Sequence, residues 1–142
     1  MSGSFDPYEA VLEFHETFNA PVGENPSLPG EDAVALRIRL IREELEELEQ
    51  SISGQNVVDV ADALADLLYV TYGTAIAFGI DVRPVFEEVH RANMTKVGGK
   101  VRADGKILKP EGWEPPGIEE VLRSQGLETS GDRDEGMGSG TQ

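Results

Sequence analysis

Between Val34 and Ile52 the apolar residues Val34, Ile38, Ile41, Leu45, Leu48 and Ile52 recur at spacings of three and four. That is the period of a helix burying one face. A strand would scatter the same side chains over both of its faces, so the segment has few alternatives, and Gly54 ends it. A second long stretch, Asp59 to Phe78, reads as another helix. Its small residues Ala61, Ala63, Ala65, Ala75 and Ala77 permit close approach of a neighbour.

Shorter elements flank this pair. Residues 8–18 place Val11, Phe14, His15 and Phe18 on one helical stripe, and the Pro- and Gly-rich segment 20–32 breaks it. Val82 to about Met94 makes a fourth helix with Val85, Phe86 and Val89 inward. Asp104-Gly105 between two partly apolar arms signals a β-hairpin, and a short helix is expected over Ile118–Ser124. The expected architecture is all-α, four main helices with a small hairpin. One domain covers 1–125, and a polar, glycine-rich tail over 126–142 has too little apolar surface to order itself.

Charge narrows the partners. Twelve Lys and Arg against 27 Asp and Glu give a net charge of −15, which disfavours nonspecific contact with nucleic acid or an anionic membrane. No cysteine is present, so disulfides, thiolate nucleophiles and zinc–thiolate sites are excluded and oxygen-ligated metals remain. No basic stretch leads into an apolar run at the N-terminus, and no apolar run approaches the roughly 20 residues of a membrane span. A cytoplasmic location is the expectation.

The acids themselves are patterned. Glu43, Glu44, Glu46, Glu47 and Glu49 crowd into residues 43–49. At about 100° per residue Glu43, Glu44 and Glu47 share one face of the first long helix, and Asp59, Asp62 and Asp66 share one face of the second. Arg37, Arg39 and Arg42 precede the glutamates, the less favourable order for pairing along a helix and for its dipole. The aspartates interrupt a segment of Val, Ala, Leu and Tyr, where an unpaired carboxylate is costly. Carboxylates from two facing helices suit Mg²⁺, with Mn²⁺ as substitute.

The opposite charge is concentrated in 91–109, where Arg91, Lys96, Lys100, Arg102, Lys106 and Lys109 accompany a single acid, Asp104. Such a reversal in an acidic chain suits phosphate groups. No Walker-type loop or dinucleotide fingerprint is present. Trp113, in a proline-rich loop, reads as a packing anchor, and His15 beside Phe14 and Phe18 as either a packing residue or a base-stacking one.

These pieces resemble the all-α nucleoside triphosphate pyrophosphohydrolases of the MazG-like group, which includes dimeric dUTPases, dCTP pyrophosphatases and phosphoribosyl-ATP pyrophosphohydrolase. The group's signature is E-E-x-x-E on one helix and E-x-x-D on the next. Glu43, Glu44 and Glu47 match the first half and Asp66 the final aspartate, while "EVHRANMTKVGG" and "DGKILKPEGWEPP" extend the similarity. Ala63 stands where the second glutamate belongs, and Asp62 is its nearest carboxylate.

The resemblance implies hydrolysis of a nucleoside triphosphate, dUTP-type or house-cleaning, between the α and β phosphates. It implies metal held by Glu43, Glu44, Glu47, Asp62 and Asp66, with Glu44 accepting the proton of the attacking water. Asn93 and Lys96, joined by Arg102 or Lys109, face the phosphates, and His15 and Phe18 are candidates for the base. A homodimer or homotetramer is expected. A non-hydrolytic nucleotide-binding module with a weakened metal site is the alternative, and an acidic interaction protein a third reading.

Overall fold

The computed structural model describes residues 3–128, and the chain forms two compact units, Met1–Ile80 and Asp81–Gln142. The first holds α1 (Pro7–Thr17), α2 (Glu31–Ser53) and α3 (Val57–Ala77). Pro7 opens α1 with its φ already helical, and the Asp6 side chain accepts from the Tyr8 N–H at 2.9 Å. Glu31 and Asp32 place negative charge in the first turn of α2.

Residues 54–56 turn the chain so that α2 and α3 pack as an antiparallel helical hairpin. The Asn56 Oδ1 accepts from the Val58 and Asp59 N–H groups at 3.1 and 3.2 Å. That cap starts α3 two residues before the expected Asp59.

The interior of this unit is small and partly polar. Val11, Ala63, Ile76 and Ala77 are buried, together with His15 and Arg37. The Arg37 Nε donates to Thr74 Oγ1 at 3.2 Å and Nη2 donates to the Val70 carbonyl at 2.9 Å, so the guanidinium ties α2 to α3. The His15 Nδ1 meets the Pro21 carbonyl at 2.8 Å, where the ring N–H donates. Gly73 makes the arrangement possible, since a Cβ there would lie 2.3 Å from Arg37 Nη2 and 2.9 Å from His15 Nε2.

Segment 20–32 is tied down. The Gly23 N–H donates to Ile76 O and the Ser27 N–H to Phe78 O, each at 2.9 Å. A Cβ at Gly23 would lie 2.5 Å from the Gly79 nitrogen.

Much of α3 is uncovered in the single chain: Val57 and Val58 are 77% and 73% exposed, Leu64 and Leu68 47% and 59%. In contrast to the sequence expectation, Val57–Ala77 is long and apolar enough, by length and composition, to cross a membrane. Asp59, Asp62 and Asp66 lie along it and it packs on α1 and α2, which suits a helix that meets other helices.

The second unit holds α4 (Val82–Met94) and α5 (Ile118–Ser124). Asp81 caps α4 and pairs with Arg83 at 2.8 Å. The Gln125 side chain makes two 2.9 Å bonds to the Asp81 backbone, fastening the end of α5 to the start of α4. Glu88 accepts from the Arg91 guanidinium and from the Gly117 N–H, and these donors, Arg91 foremost, hold its pKa down to about 2.

The expected hairpin is corrected. Among the described residues 100–109 form only one antiparallel bridge, Val101 with Ile107, around the Asp104-Gly105 turn. Val101 and Ile107 are both more than half exposed, and two short arms without an apolar partner cannot sustain a ladder. Most of the expected tail, 129–142, lies outside the described residues.

Candidate metal centre

The α2–α3 hairpin brings acids together from both helices. Glu44 and Glu47, one turn apart on α2, and Asp66 on α3 each offer an oxygen within 4.8 Å of the others. Glu44 and Asp66 are half-buried, and the Glu44 Oε2 is buried without a hydrogen-bond partner. Burial raises the Glu44 pKa, and the adjoining Glu47 carboxyl, Asp66 and Glu43 raise it further. Asp66 is raised by burial, then by Asp62 and Glu47.

These groups accept hydrogen bonds and hold like charge, so each worsens the position of the others. A divalent cation satisfies all three: hard oxygen donors, a deficit of positive charge and an orphaned carboxylate oxygen are what Mg²⁺ or Mn²⁺ requires. On that observation the residues fit a metal.

Of the five expected ligands, the structure brings three into this group. Glu43 and Asp62 are exposed and stand beside it, adding to the field on Glu44 and Asp66 respectively. Ala63 is buried at 3% exposure. It lines a groove of ≈ 300 Å³ with Glu47, Gln50, Ser51, Asp59 and Asp62.

A pH dependence follows. Both folded-state pKa values lie above the ordinary ones, so the folded protein binds protons more tightly than the unfolded chain. These two groups therefore oppose folding at neutral pH. The opposition is relieved as pH falls through the raised values, fully so below the ordinary 4.5 and 3.8. The wild-type melting temperature in EDTA should rise relative to that of Glu44→Gln as pH falls from neutral toward the ordinary carboxylate values, and saturating Mg²⁺ at neutral pH should reverse the order of the two proteins.

The other expected residues are placed as follows. Phe18 is exposed and stacks near Phe14, with ring centroids 4.7 Å apart. Tyr69, absent from the sequence reading, joins them through an edge contact with Phe14 at 5.6 Å. Its signal was its place one turn after Asp66. His15 is 3% exposed and turned into the interior, so a base could not stack on it without rearrangement.

In the second unit Asn93 is exposed near the end of α4. Arg102 is engaged by Asp104 through two bonds of 2.9 and 2.6 Å. The Nζ atoms of Lys96 and Lys109 stand over the Trp113 ring. Arg37 lies outside the sequence expectations as a structural centre, although at about 100° per residue it falls nearer the apolar stripe of α2 than Arg39 or Arg42 does.

An antiparallel helix pair that gathers carboxylates from both helices, in a chain whose elements among the described residues are all helices, defines the protein as an all-α type with an acidic seam fit for a metal. The chain belongs to the phosphoribosyl-ATP pyrophosphohydrolase family, whose model matches residues 11–93, within the all-α nucleoside triphosphate pyrophosphohydrolase superfamily. The matched segment contains Glu43, Glu44, Glu47, Asp62, Asp66 and Asn93 and stops before Lys96. The chain is also similar to the uncharacterized protein L479 of Acanthamoeba polyphaga mimivirus, 38% identical over 84 residues, which is 53% of this chain and 32% of that protein. The match thus spans about a third of the relative's length. Family membership supports a pyrophosphohydrolase-type activity.

Proposed function

We propose that the protein is a Mg²⁺-dependent nucleoside triphosphate pyrophosphohydrolase. It cleaves a nucleoside or deoxynucleoside triphosphate, dUTP-type or damaged, to the monophosphate and pyrophosphate. The observation that carries this is the convergence of Glu44, Glu47 and Asp66 around a buried carboxylate oxygen that has no donor.

Glu47 and Asp66 would hold the metal, with Glu44, and with Glu43 and Asp62 at the margin. A divalent cation bound there supplies charge neutralisation at phosphate oxygens and activation of a water. Glu44, whose Oε2 has no hydrogen-bond donor, is assigned to accept the proton from that water. The water oxygen bonds to the α-phosphorus as the bond to the bridging oxygen breaks, and the electron pair leaves on pyrophosphate. Lys96, with Asn93 and Lys109, is assigned to the β and γ phosphates, and Arg102 is a weaker candidate because Asp104 already engages it. Phe18 is assigned to the base.

Pyrophosphate release from a panel of ordinary and modified triphosphates, with Mg²⁺, Mn²⁺ or EDTA, tests this. Metal-dependent release from one or a few members is expected, and silence across the panel would sink it. Ala63, a buried methyl where the family signature carries a carboxylate, favours one second reading: a module that binds nucleotide without hydrolysis, marked by a metal-dependent thermal shift and no pyrophosphate.

The exposed apolar face of α3 supports a second copy of the chain as its cover. The setting we assign is a homodimer or a tetramer of this chain, in the cytoplasm and without nucleic acid or membrane. Sedimentation of the purified protein as a monomer would remove the oligomer.

A further inference from the structure

Arg37 is 9% exposed, yet among the described residues no acid pairs with it. Its hydrogen bonds go to neutral groups, Thr74 Oγ1 at 3.2 Å and the Val70 carbonyl at 2.9 Å. Burial lowers its pKa, and no neighbouring charge opposes that. A cation without a counter-ion is a costly way to join two helices, since a well-packed apolar side chain does so without desolvating a charge. The acceptors do not require it either, because the Thr74 hydroxyl already donates to the Val70 carbonyl at 2.8 Å. Stability therefore does not account for this guanidinium.

Its place in the seam does. Arg37 lies seven residues before Glu44 on α2, and Gly73, beside which the guanidinium packs, lies seven residues after Asp66 on α3. Seven residues are close to two helical turns, a displacement of about 10 Å with little rotation. Because α2 and α3 run antiparallel, both intervals lead the same way along the seam. The guanidinium thus occupies the layer two turns from the carboxylate cluster.

Register is what that cluster needs. Glu44 and Glu47 come within 4.8 Å of Asp66 only while α2 stays in step with α3. A slip of one residue shifts a facing side chain by about 1.5 Å and turns it by about 100°. Apolar contacts tolerate some sliding, whereas a rigid fork that must reach a hydroxyl and a carbonyl one turn apart does not. The charges acting on Glu44 and Asp66 are all acids, so Arg37 reaches them through geometry rather than through its field.

We infer that Arg37 is a positioning residue that fixes the register of α2 on α3 and so holds Glu44 and Glu47 opposite Asp66 for a divalent cation. The cation rests on the metal-centre reading above; the register does not.

The chain has no cysteine, so spin labels can be attached at exposed Glu49→Cys on α2 and Thr71→Cys on α3. The distance between them is read by pulsed electron paramagnetic resonance in EDTA, with labelled chain diluted in unlabelled chain. Binding of Mn²⁺ alone to the unlabelled full chain is measured by calorimetry. One narrow distance is expected with Arg37 in place, and a broadened or displaced one in Arg37→Met and in Arg37→Lys, which keeps the charge but not the fork. Mn²⁺ affinity should fall roughly tenfold in both variants, while the melting temperature of Arg37→Met in EDTA stays within a few degrees of wild type.

An unchanged narrow distance with wild-type Mn²⁺ affinity in both variants would overturn the inference. So would Arg37→Lys binding as wild type while Arg37→Met binds more tightly, because Arg37 would then act as a charge. A large drop in the melting temperature of Arg37→Met with Mn²⁺ affinity unchanged would reduce Arg37 to a structural clasp and overturn it too. A wild-type chain that binds no Mn²⁺ would overturn the metal centre and the cation-holding role with it, while the distance in EDTA decides the register independently.

Discussion

Glu44→Gln is expected to lower pyrophosphate release by about 10³-fold or more while making the metal-free protein more stable. The same atoms cause both effects. The Glu44 carboxylate is half-buried, its Oε2 has no donor, and Glu47 and Asp66 offer like charge within 4.8 Å. Glutamine keeps the shape and removes the charge, relieving the repulsion among the three. It also leaves the cation one anionic ligand short and removes the proton acceptor.

A gain on the order of 1 kcal/mol, a few degrees in Tm for a chain of this size, is expected in EDTA. In saturating Mg²⁺ the wild type should overtake the variant, because only the wild type presents the complete set of charges. Glu47→Ala should likewise abolish turnover with the fold intact. Retained activity in either variant would remove these residues from the site, and a Glu44→Gln protein less stable than wild type in EDTA would contradict the electrostatic account.

Gly73→Ala is expected to be the most damaging single methyl added to the first unit. In a helix interior this substitution ordinarily stabilises by about 1 kcal/mol, because alanine is the better helix former. Here the new Cβ would lie 2.3 Å from Arg37 Nη2 and 2.9 Å from His15 Nε2. The guanidinium cannot retreat without releasing the Val70 carbonyl and Thr74 Oγ1, which would leave a buried cation poorly satisfied.

Overpacking and lost hydrogen bonds together should outweigh propensity, for a net loss of about 2–4 kcal/mol in urea unfolding. Arg37→Ala in the same background should recover part of the loss, since it removes the group the methyl strikes. A Gly73→Ala protein as stable as wild type would show that the buried arginine is not held as described.

The helices were legible because their signals are local. The 3–4 spacing from Val34 to Ile52 and the stop at Gly54 place α2, and "GIDVRP" marks the turn into α4, which begins at Val82 as expected. Asn56 is an N-cap residue type and starts α3 at Val57, two residues before the expected Asp59. The hairpin failed for a different reason. Asp104-Gly105 does turn the chain, but turn chemistry cannot supply the apolar surface that a pair of strands needs. His15 was read from its aromatic neighbours, whereas burial follows from Gly73 and Pro21, which are remote along the chain or set by a loop's path.

By itself the sequence determined which acids share a helix face: the angle between Glu43, Glu44 and Glu47, or between Asp62 and Asp66, follows from a period of about 3.6 residues whatever surrounds them. It also determined that Ala63 leaves the family signature one carboxylate short. Only the tertiary structure decided that Glu44 and Glu47 close on Asp66 while Glu43 and Asp62 stay outside, and that Arg37 alone of three nearby arginines is buried. Helix period is a property of the backbone. Which parts of two faces meet depends on how closely α2 and α3 approach, and that is set by small residues such as Ala63 and Gly73 at the seam.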